Sequence, residues 1–303
     1  MSNPTDQFRA AMVAAGLTPP DDLASDGTLH RFASNGKPRD KSGWYVLHLD
    51  GVAAGVFGCW RAGVSETWCA KQPDTMTESE REAHRLRIKA MRAAREADKA
   101  QHQQQAAQQA ARRWDAATPA TAHPYLTAKG VKPHGTRIEG AALLVPMRDE
   151  AGKLRSLQVI DSDGGKRFLF GGQVAGCYMG MGKPQGVLIV CEGFATGASI
   201  REATGHAVAV AFNAGNLLAV AQAMRAKFPA LALVVAADDD HQTAGNPGLS
   251  AARQAALAVG GFVLAPQFPA HRPGKATDFN DLHQLAGLGA VRACFSELEV
   301  ISC

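Results

Sequence analysis

The sequence predicts an α/β protein: a C-terminal parallel sheet with flanking helices, preceded by a small antiparallel β subdomain, a long basic helix and an N-terminal β-rich unit. Three observations predict it. From Gly186 onward, short apolar runs alternate with helix-forming segments, the pattern of strands covered on both faces by crossover helices. Between Thr77 and Trp114 there is no Gly or Pro, and Ala, Gln, Arg and Glu dominate, as in a long helix. Between Leu143 and Phe170, apolar runs are separated by Asp- and Gly-containing turns, as in an antiparallel meander.

The elements follow in order. In segment 1–76, Trp44 to Leu49 is strand-like and ends at Asp50-Gly51, a turn dipeptide, with Gly55 to Trp60 returning. Trp44, Trp60 and Trp68 pack in such a unit or stack bases. Segment 77–117 opens on Thr77 with Glu80 three residues later, a capping box. Its basic residues between Arg81 and Arg113 outnumber the acids Glu82, Glu96 and Asp98. It is either a solvated spacer or a helix that touches phosphates. Segment 118–185 carries strands at Leu143 to Met147, Leu154 to Ile160 and Arg167 to Phe170. Arg148, Lys153, Arg155, Lys166 and Arg167 lie on or beside its turns. Segment 186–303 reads strand Val187 to Val190, helix Ala195 to Ala203, strand Ala207 to Phe212 and helix Leu217 to Lys227. Strand Leu231 to Ala237, helix Leu249 to Val259 and strand Phe262 to Ala265 follow, then a helix from Asp278.

Composition narrows the function classes. Of the 303 residues, 46% are hydrophobic, enough for a core and too many for a disordered chain. No apolar run approaches the roughly 20 residues that span a bilayer, so no membrane partner is expected. Met1 to Ala10 carries Asp6 and Arg9 and does not read as a secretory signal. None of the six Cys forms a C-x-x-C pair, so a reduced, cytoplasmic protein without a zinc ribbon is expected. The formal net charge of +4 is compatible with a polyanionic partner.

In a parallel sheet, functional groups gather beyond the carboxyl ends of the strands. Glu192-Gly193 follows one buried strand and Asp238-Asp239-Asp240 another. Asp238 and Asp240, two apart in extended backbone, point the same way, and Asp239 points away. Clustered carboxylates repel unless a cation sits among them, and hard oxygen ligands suit Mg²⁺ or Mn²⁺. Single acids at such places usually cap helices or solvate loops. An acid after one buried strand combined with D-x-D after another is a stronger signal.

These residues resemble the Toprim domain of primases, topoisomerases and certain nucleases. Glu192-Gly193-Phe194-Ala195-Thr196-Gly197 is similar to the E-G-Y-A-T-A motif of conjugative-plasmid and satellite-phage primases, with Phe194 and Gly197 as departures. Ala211-Phe212-Asn213-Ala214-Gly215-Asn216-Leu217 is similar to their A-F-D-A-G-N-L segment. Asp278-Phe279-Asn280-Asp281-Leu282 matches D-F-N-D-L. His123-Pro124-Tyr125-Leu126 and Lys166-Arg167-Phe168 match the region ahead of the domain. Several motifs in order make a specific signal.

The resemblance implies a DNA primase acting on single-stranded DNA and nucleoside triphosphates with Mg²⁺ or Mn²⁺. It implies Glu192 as base or ligand near the attacking hydroxyl, Asp238 and Asp240 as metal ligands, and Asp278 or Asp281 completing the cluster. Arg148, Lys153, Arg155, Lys166, Arg167, Thr196, Gly215 and Asn216 are the expected nucleotide and nucleic-acid contacts. Thr196 stands where replicative primases usually carry Asp, which removes one acid. Gly180-Met181-Gly182-Lys183-Pro184 lacks the spacing and the Ser or Thr of a P-loop, so unwinding is expected from a separate helicase. A Toprim nuclease and a non-catalytic single-stranded DNA-binding accessory protein are the rivals. A topoisomerase fits less well, since only Tyr45, Tyr125 and Tyr178 are present.

Overall fold

A computed structural model describes residues 3–37, 40–71 and 75–296. The chain divides into two units, residues 1–100 and 101–303.

The first unit is an antiparallel meander in the order β1-β2-β3-β4, made of β1 (His30–Phe32), β2 (Gly43–His48), β3 (Ala54–Cys59) and β4 (Val64–Cys69). A helix the sequence reading did not anticipate, α1 (Pro4–Ala14), packs on one face. Asn3 caps it and Pro4 opens it, a favoured start. Phe8 of α1 is fully buried and meets Phe57 edge to face at 5.4 Å. A glycine permits this closeness: a Cβ on Gly55 would lie 2.5 Å from the Phe8 ring. On the other face Trp44 is buried, with the Arg95 guanidinium 4.3 Å from its ring centroid. Trp44 is therefore core, whereas Trp60 is 43% exposed.

Helix α2 (Glu78–Ala116) is the expected long helix. The Thr77 amide donates to Glu80 at 2.9 Å and the Glu80 amide donates to the Thr77 hydroxyl at 3.3 Å, so the capping box is formed.

The second unit contains two sheets. The first is antiparallel in the order β5-β6-β7-β8-β9: β5 (Thr118–Pro119), β6 (Arg137–Glu139), β7 (Ala142–Arg148), β8 (Leu154–Ile160) and β9 (Lys166–Phe168). A short helix, α3 (Pro124–Lys129), lies between β5 and β6. Strand β9 stops at Phe168, two residues short of the expectation, because the Gly172 amide donates to the Leu169 carbonyl and turns the chain.

The second sheet has the order β10-β12-β11-β13-β14, from β10 (Met179–Met181), β11 (Val187–Cys191), β12 (Ala207–Val210), β13 (Ala232–Ala236) and β14 (Phe262–Leu264). The last four are mutually parallel and β10 is antiparallel on the edge. Helices α4 (Phe194–Thr204), α5 (Leu217–Lys227), α6 (Pro247–Val259) and α7 (Phe279–Ala293) cover it. Burial alternates between the faces: Val187, Ile189 and Cys191 join one core and Leu188 and Val190 the other. The Gly180 to Pro184 stretch forms β10 and its exit and is followed by strand β11, without the helix a P-loop needs.

Among the described residues no helix is long and apolar enough to cross a membrane. The five described cysteines, Cys59, Cys69, Cys177, Cys191 and Cys294, are free thiols; Cys303 lies outside the described residues.

Candidate active site

Strands β11 and β13 are neighbours with Cys191 opposite Ala236, so the residues leaving them emerge side by side. Glu192 is the first residue past β11 and Asp238 the second past β13. Asp278 is the N-cap of α7, and the Asp239 amide donates to the carbonyl of the preceding Thr277 at 2.8 Å. The Thr196 hydroxyl, one turn into α4, donates to Asp278 Oδ2 at 3.0 Å. A small hydroxyl thus stands against an acid at this position.

Burial and mutual repulsion govern the electrostatics. Asp238 Oδ1 is buried without a hydrogen-bond partner. Burial first, then the charges of Asp278, Glu192 and Asp240, push its carboxyl up to about 8. Burial and Asp240 raise Glu192, partly offset by an amide donated from Ala214. Burial and Asp281 raise Asp278. Asp240 accepts the Gly248 amide at 3.0 Å at the start of α6. A set of hard oxygen donors holding each other above the ordinary carboxylate range fits a divalent cation. Among the described residues no three acidic, His or Cys side chains already form a closed metal-holding group. The acids are a neighbourhood, not a finished cage.

The three consecutive aspartates separate as the two-residue period requires. Asp239 faces away, accepting from Arg272 at 2.5 Å and from Asn246 at 2.6 Å. The Arg272 hydrogen bond, against the cost of burial, lowers its pKa. Asp281 is less available than expected. It is the N3 partner of the α7 capping box, and its Oδ2 accepts the Thr277 and Asp278 amides.

The loop after β12 contributes through its backbone. Phe212 has a positive φ of 73°, which a residue with a side chain adopts at a cost of roughly 1–3 kcal/mol. Amides of Ala211 and Phe212 donate to the carbonyls of Cys191 and Glu192 at 2.8 and 2.7 Å and hold this bend. The bend aims the Ala214 amide at the Glu192 carboxylate. Gly215 lies in the same short 3₁₀ turn, 214–216. Asn216 has a structural engagement of its own. Its side chain takes the Gly176 amide at 2.8 Å and donates to the Cys177 and Ala211 carbonyls at 2.9 and 2.8 Å. It is buried, and these bonds hold the loop in place.

The expected basic contacts divide. Lys166 lies on exposed β9, its ammonium 5.4 Å from the Tyr125 ring centroid. Burial of that end and neighbouring Lys129 lower its pKa, while Asp278, Asp238 and Glu192 oppose the change. It is thus the expected cation brought to the acids. Lys129, at the C-terminus of α3, also counters Asp278. The sequence reading missed Lys129, because nothing local marks a lysine separated from the acids by whole elements. Lys129, Lys166 and Tyr125 line a groove of about 500 Å³. Arg155 is paired with Asp149 at 2.6 Å and Arg167 with Asp161. Arg148 donates to the Gly152 carbonyl and lies 5.9 Å from the Trp114 ring centroid. Lys153 is exposed. Arg148 and Arg155 brace their own turn, and the structure does not gather them with the acids.

Acids thus stand beyond two adjacent parallel strands, with an N-cap acid from α7 beside them. Residues 187–289 match the family described as the Toprim domain. Over 289 residues the chain is 38% identical to a DNA primase TraC of Escherichia coli, covering 90% of this chain and 27% of the relative. A second DNA primase TraC of Escherichia coli is 35% identical over 300 residues, covering 92% and 20%. The chain therefore spans about a quarter of the length of these curated relatives, or less. Among solved structures, the primase fragment of the bacteriophage T7 primase-helicase protein aligns with a TM-score of 0.45 at 16% identity, covering 59% of this chain and 76% of that one.

Proposed function

We propose that the chain is the nucleotidyl-transferring part of a DNA primase, making short primers on single-stranded DNA from nucleoside triphosphates. The observation that carries this reading is the buried, unpartnered Asp238 Oδ1 among Glu192, Asp240 and Asp278. Similarity to the TraC primases over nine-tenths of the chain supports it. Residues 118–185 are proposed as the primase β subdomain and 186–303 as the catalytic domain.

Asp238, Asp240 and Asp278 would hold the divalent ion, Mg²⁺ or Mn²⁺, with Asp281 contributing through its second oxygen. Such an ion stabilises charge on attacking and leaving oxygens in phosphoryl transfer. Glu192 serves the attacking 3′ hydroxyl, as its base or as a further ligand. In the reaction the 3′ oxygen bonds to the α-phosphorus, the bond to pyrophosphate breaks, and the hydroxyl proton passes to Glu192 where it acts as base, or to water where it acts as ligand. Lys166 and Lys129 neutralise the triphosphate, and the Ala214 amide keeps Glu192 oriented. A separate helicase would supply the template strand.

The test incubates the full chain with single-stranded DNA, labelled nucleotides and Mg²⁺ or Mn²⁺. New short oligomers, absent from Glu192→Gln, are expected. Shortened template would replace the reading with a nuclease, and strand binding with neither product would replace it with an accessory protein.

A further inference from the structure

Phe170 is 82% exposed, an unusual place for a large apolar ring. It occupies the second position of a tight turn in which the Gly172 amide donates to the Leu169 carbonyl at 3.0 Å. Gly171 follows with φ +72°, the conformation that favours glycine at this place. The turn is a fixed mount. A Cβ on Gly172 would lie 2.2 Å from Ser156 Oγ, and one on Gly171 3.3 Å from the His102 Cβ in α2. The backbone is thus pressed against β8 on one side and α2 on the other, and the ring is held outward.

The ring borders a groove of about 430 Å³ whose other wall is the α2 face carrying Gln105, Gln109 and Arg112. No carboxylate lines it. Phe170 also continues a row. Lys166, Phe168 and Phe170 are spaced two apart, and the Leu169 amide still donates to the Leu157 carbonyl, so the chain stays near-extended to that point. At one end Lys166 faces the acids. In the middle, Phe168 meets Phe212 edge to face at 6.3 Å, and the Phe212 amide donates to the Glu192 carbonyl. At about 3.3 Å per residue, the row runs roughly 13 Å outward from the acids.

We propose that Phe170 and the Gln105, Gln109 and Arg112 face of α2 form a stacking platform for one base of a single-stranded DNA that enters or leaves the acidic site along β9. The inference rests on the reading that the chain acts on single-stranded DNA. An aromatic face, amide donors and acceptors, a guanidinium and no acid complement a base and its phosphate. Arg112 on this lining is a cation placed to counter a backbone phosphate beside a stacked base.

The test uses fluorescence anisotropy with the full chain, a labelled dT oligomer of about 12 nucleotides and its abasic analogue. Phe170→Ala should weaken binding of the dT strand about tenfold and leave the abasic strand unchanged. Phe170→Trp should restore dT binding. Arg112→Gln should weaken both strands and lower the salt slope by about 0.7. If the unaltered chain binds neither strand, the functional reading fails and the platform with it. If the chain binds dT but Phe170→Ala binds equally well, the platform is overturned and the function stands. Equal loss on both strands also overturns stacking. Unchanged DNA binding with altered self-association in sedimentation would assign the groove to a second copy and overturn the proposal.

Discussion

Asp239 is the internal control that the chain itself provides for the site. Asp238 and Asp240 belong to the acid cluster, whereas Asp239 is held by Arg272 and Asn246. On the proposed activity, Asp238→Asn and Asp240→Asn should each lower primer synthesis by about a hundredfold or more. Asp239→Asn should keep activity within about threefold but lose about 1–2 kcal/mol of stability, because the largely buried Arg272 guanidinium loses its counter-charge. Primer assays with urea unfolding of each variant check this; a dead but stable Asp239→Asn would invert the assignment. The alternation was legible in the sequence although β13 ends at Ala236. Amides of Ala237 and Asp239 donate to the Leu264 and Thr277 carbonyls, so the chain stays held beyond the strand. Asn216 was not legible, since its partners are backbone groups remote in sequence. Asn216→Ala should cost about 3 kcal/mol, from three buried hydrogen bonds. Unfolding midpoints that match the parent would remove its structural role.

Among elements, α2 shows how tertiary contacts assign charges that composition leaves open. Arg87 donates to the Val52 carbonyl and pairs with Asp50 at 2.7 Å. Arg95 lies over Trp44 and donates to Ser65, and Arg113 pairs with Glu139 of β6. Lys89, Arg92 and Arg112 remain exposed. Arg87, Arg95 and Arg113 are therefore structural, and the phosphate-touching alternative is confined to the others. The Arg113–Glu139 pair gives a pH test. Its hydrogen bond to Arg113, against the cost of burial, holds Glu139 below its ordinary 4.5. A depressed carboxylate contributes stability above its unfolded pKa and loses it as pH falls through the folded value. Glu139→Gln should therefore lower stability by up to about 1 kcal/mol at pH 7, since the pair is partly exposed. The difference from the parent should shrink below pH 4. A difference constant from pH 7 to pH 3 would show that the pair contributes no charge-dependent stability.

At the scale of the whole molecule, the acids set a conflict that a cation resolves. Asp238, Glu192 and Asp278 are each raised, by burial first and by neighbouring acids next. A divalent ion that binds the folded chain alone stabilises it by mass action. Millimolar Mg²⁺ should raise the melting temperature by a few degrees over EDTA at matched ionic strength. Asp238→Asn should melt higher than the parent in EDTA and gain less from Mg²⁺. The same gain in parent and variant would place the ion elsewhere.

The sequence alone determined the order of strands and helices from Gly186, the long helix with its capping box, and the pairing of Glu192 with Asp238 and Asp240. These follow from local periodicity, capping chemistry and the rule that parallel strands deliver their C-terminal residues to one edge. Only the tertiary structure decided which charges are available. It placed Lys129 beside Asp278, and it committed Asp281 to a helix cap and Asn216 to three backbone groups. It also left Phe170 in solvent at the corner of a turn. For Lys129 and Asn216 the physical reason is distance: Asp278, Gly176 and Cys177 lie about 40 to 150 residues away from them, and no local pattern encodes that. Asp281 and Phe170 sit in local turns and caps, and only the packed structure shows that these use up the one and expose the other.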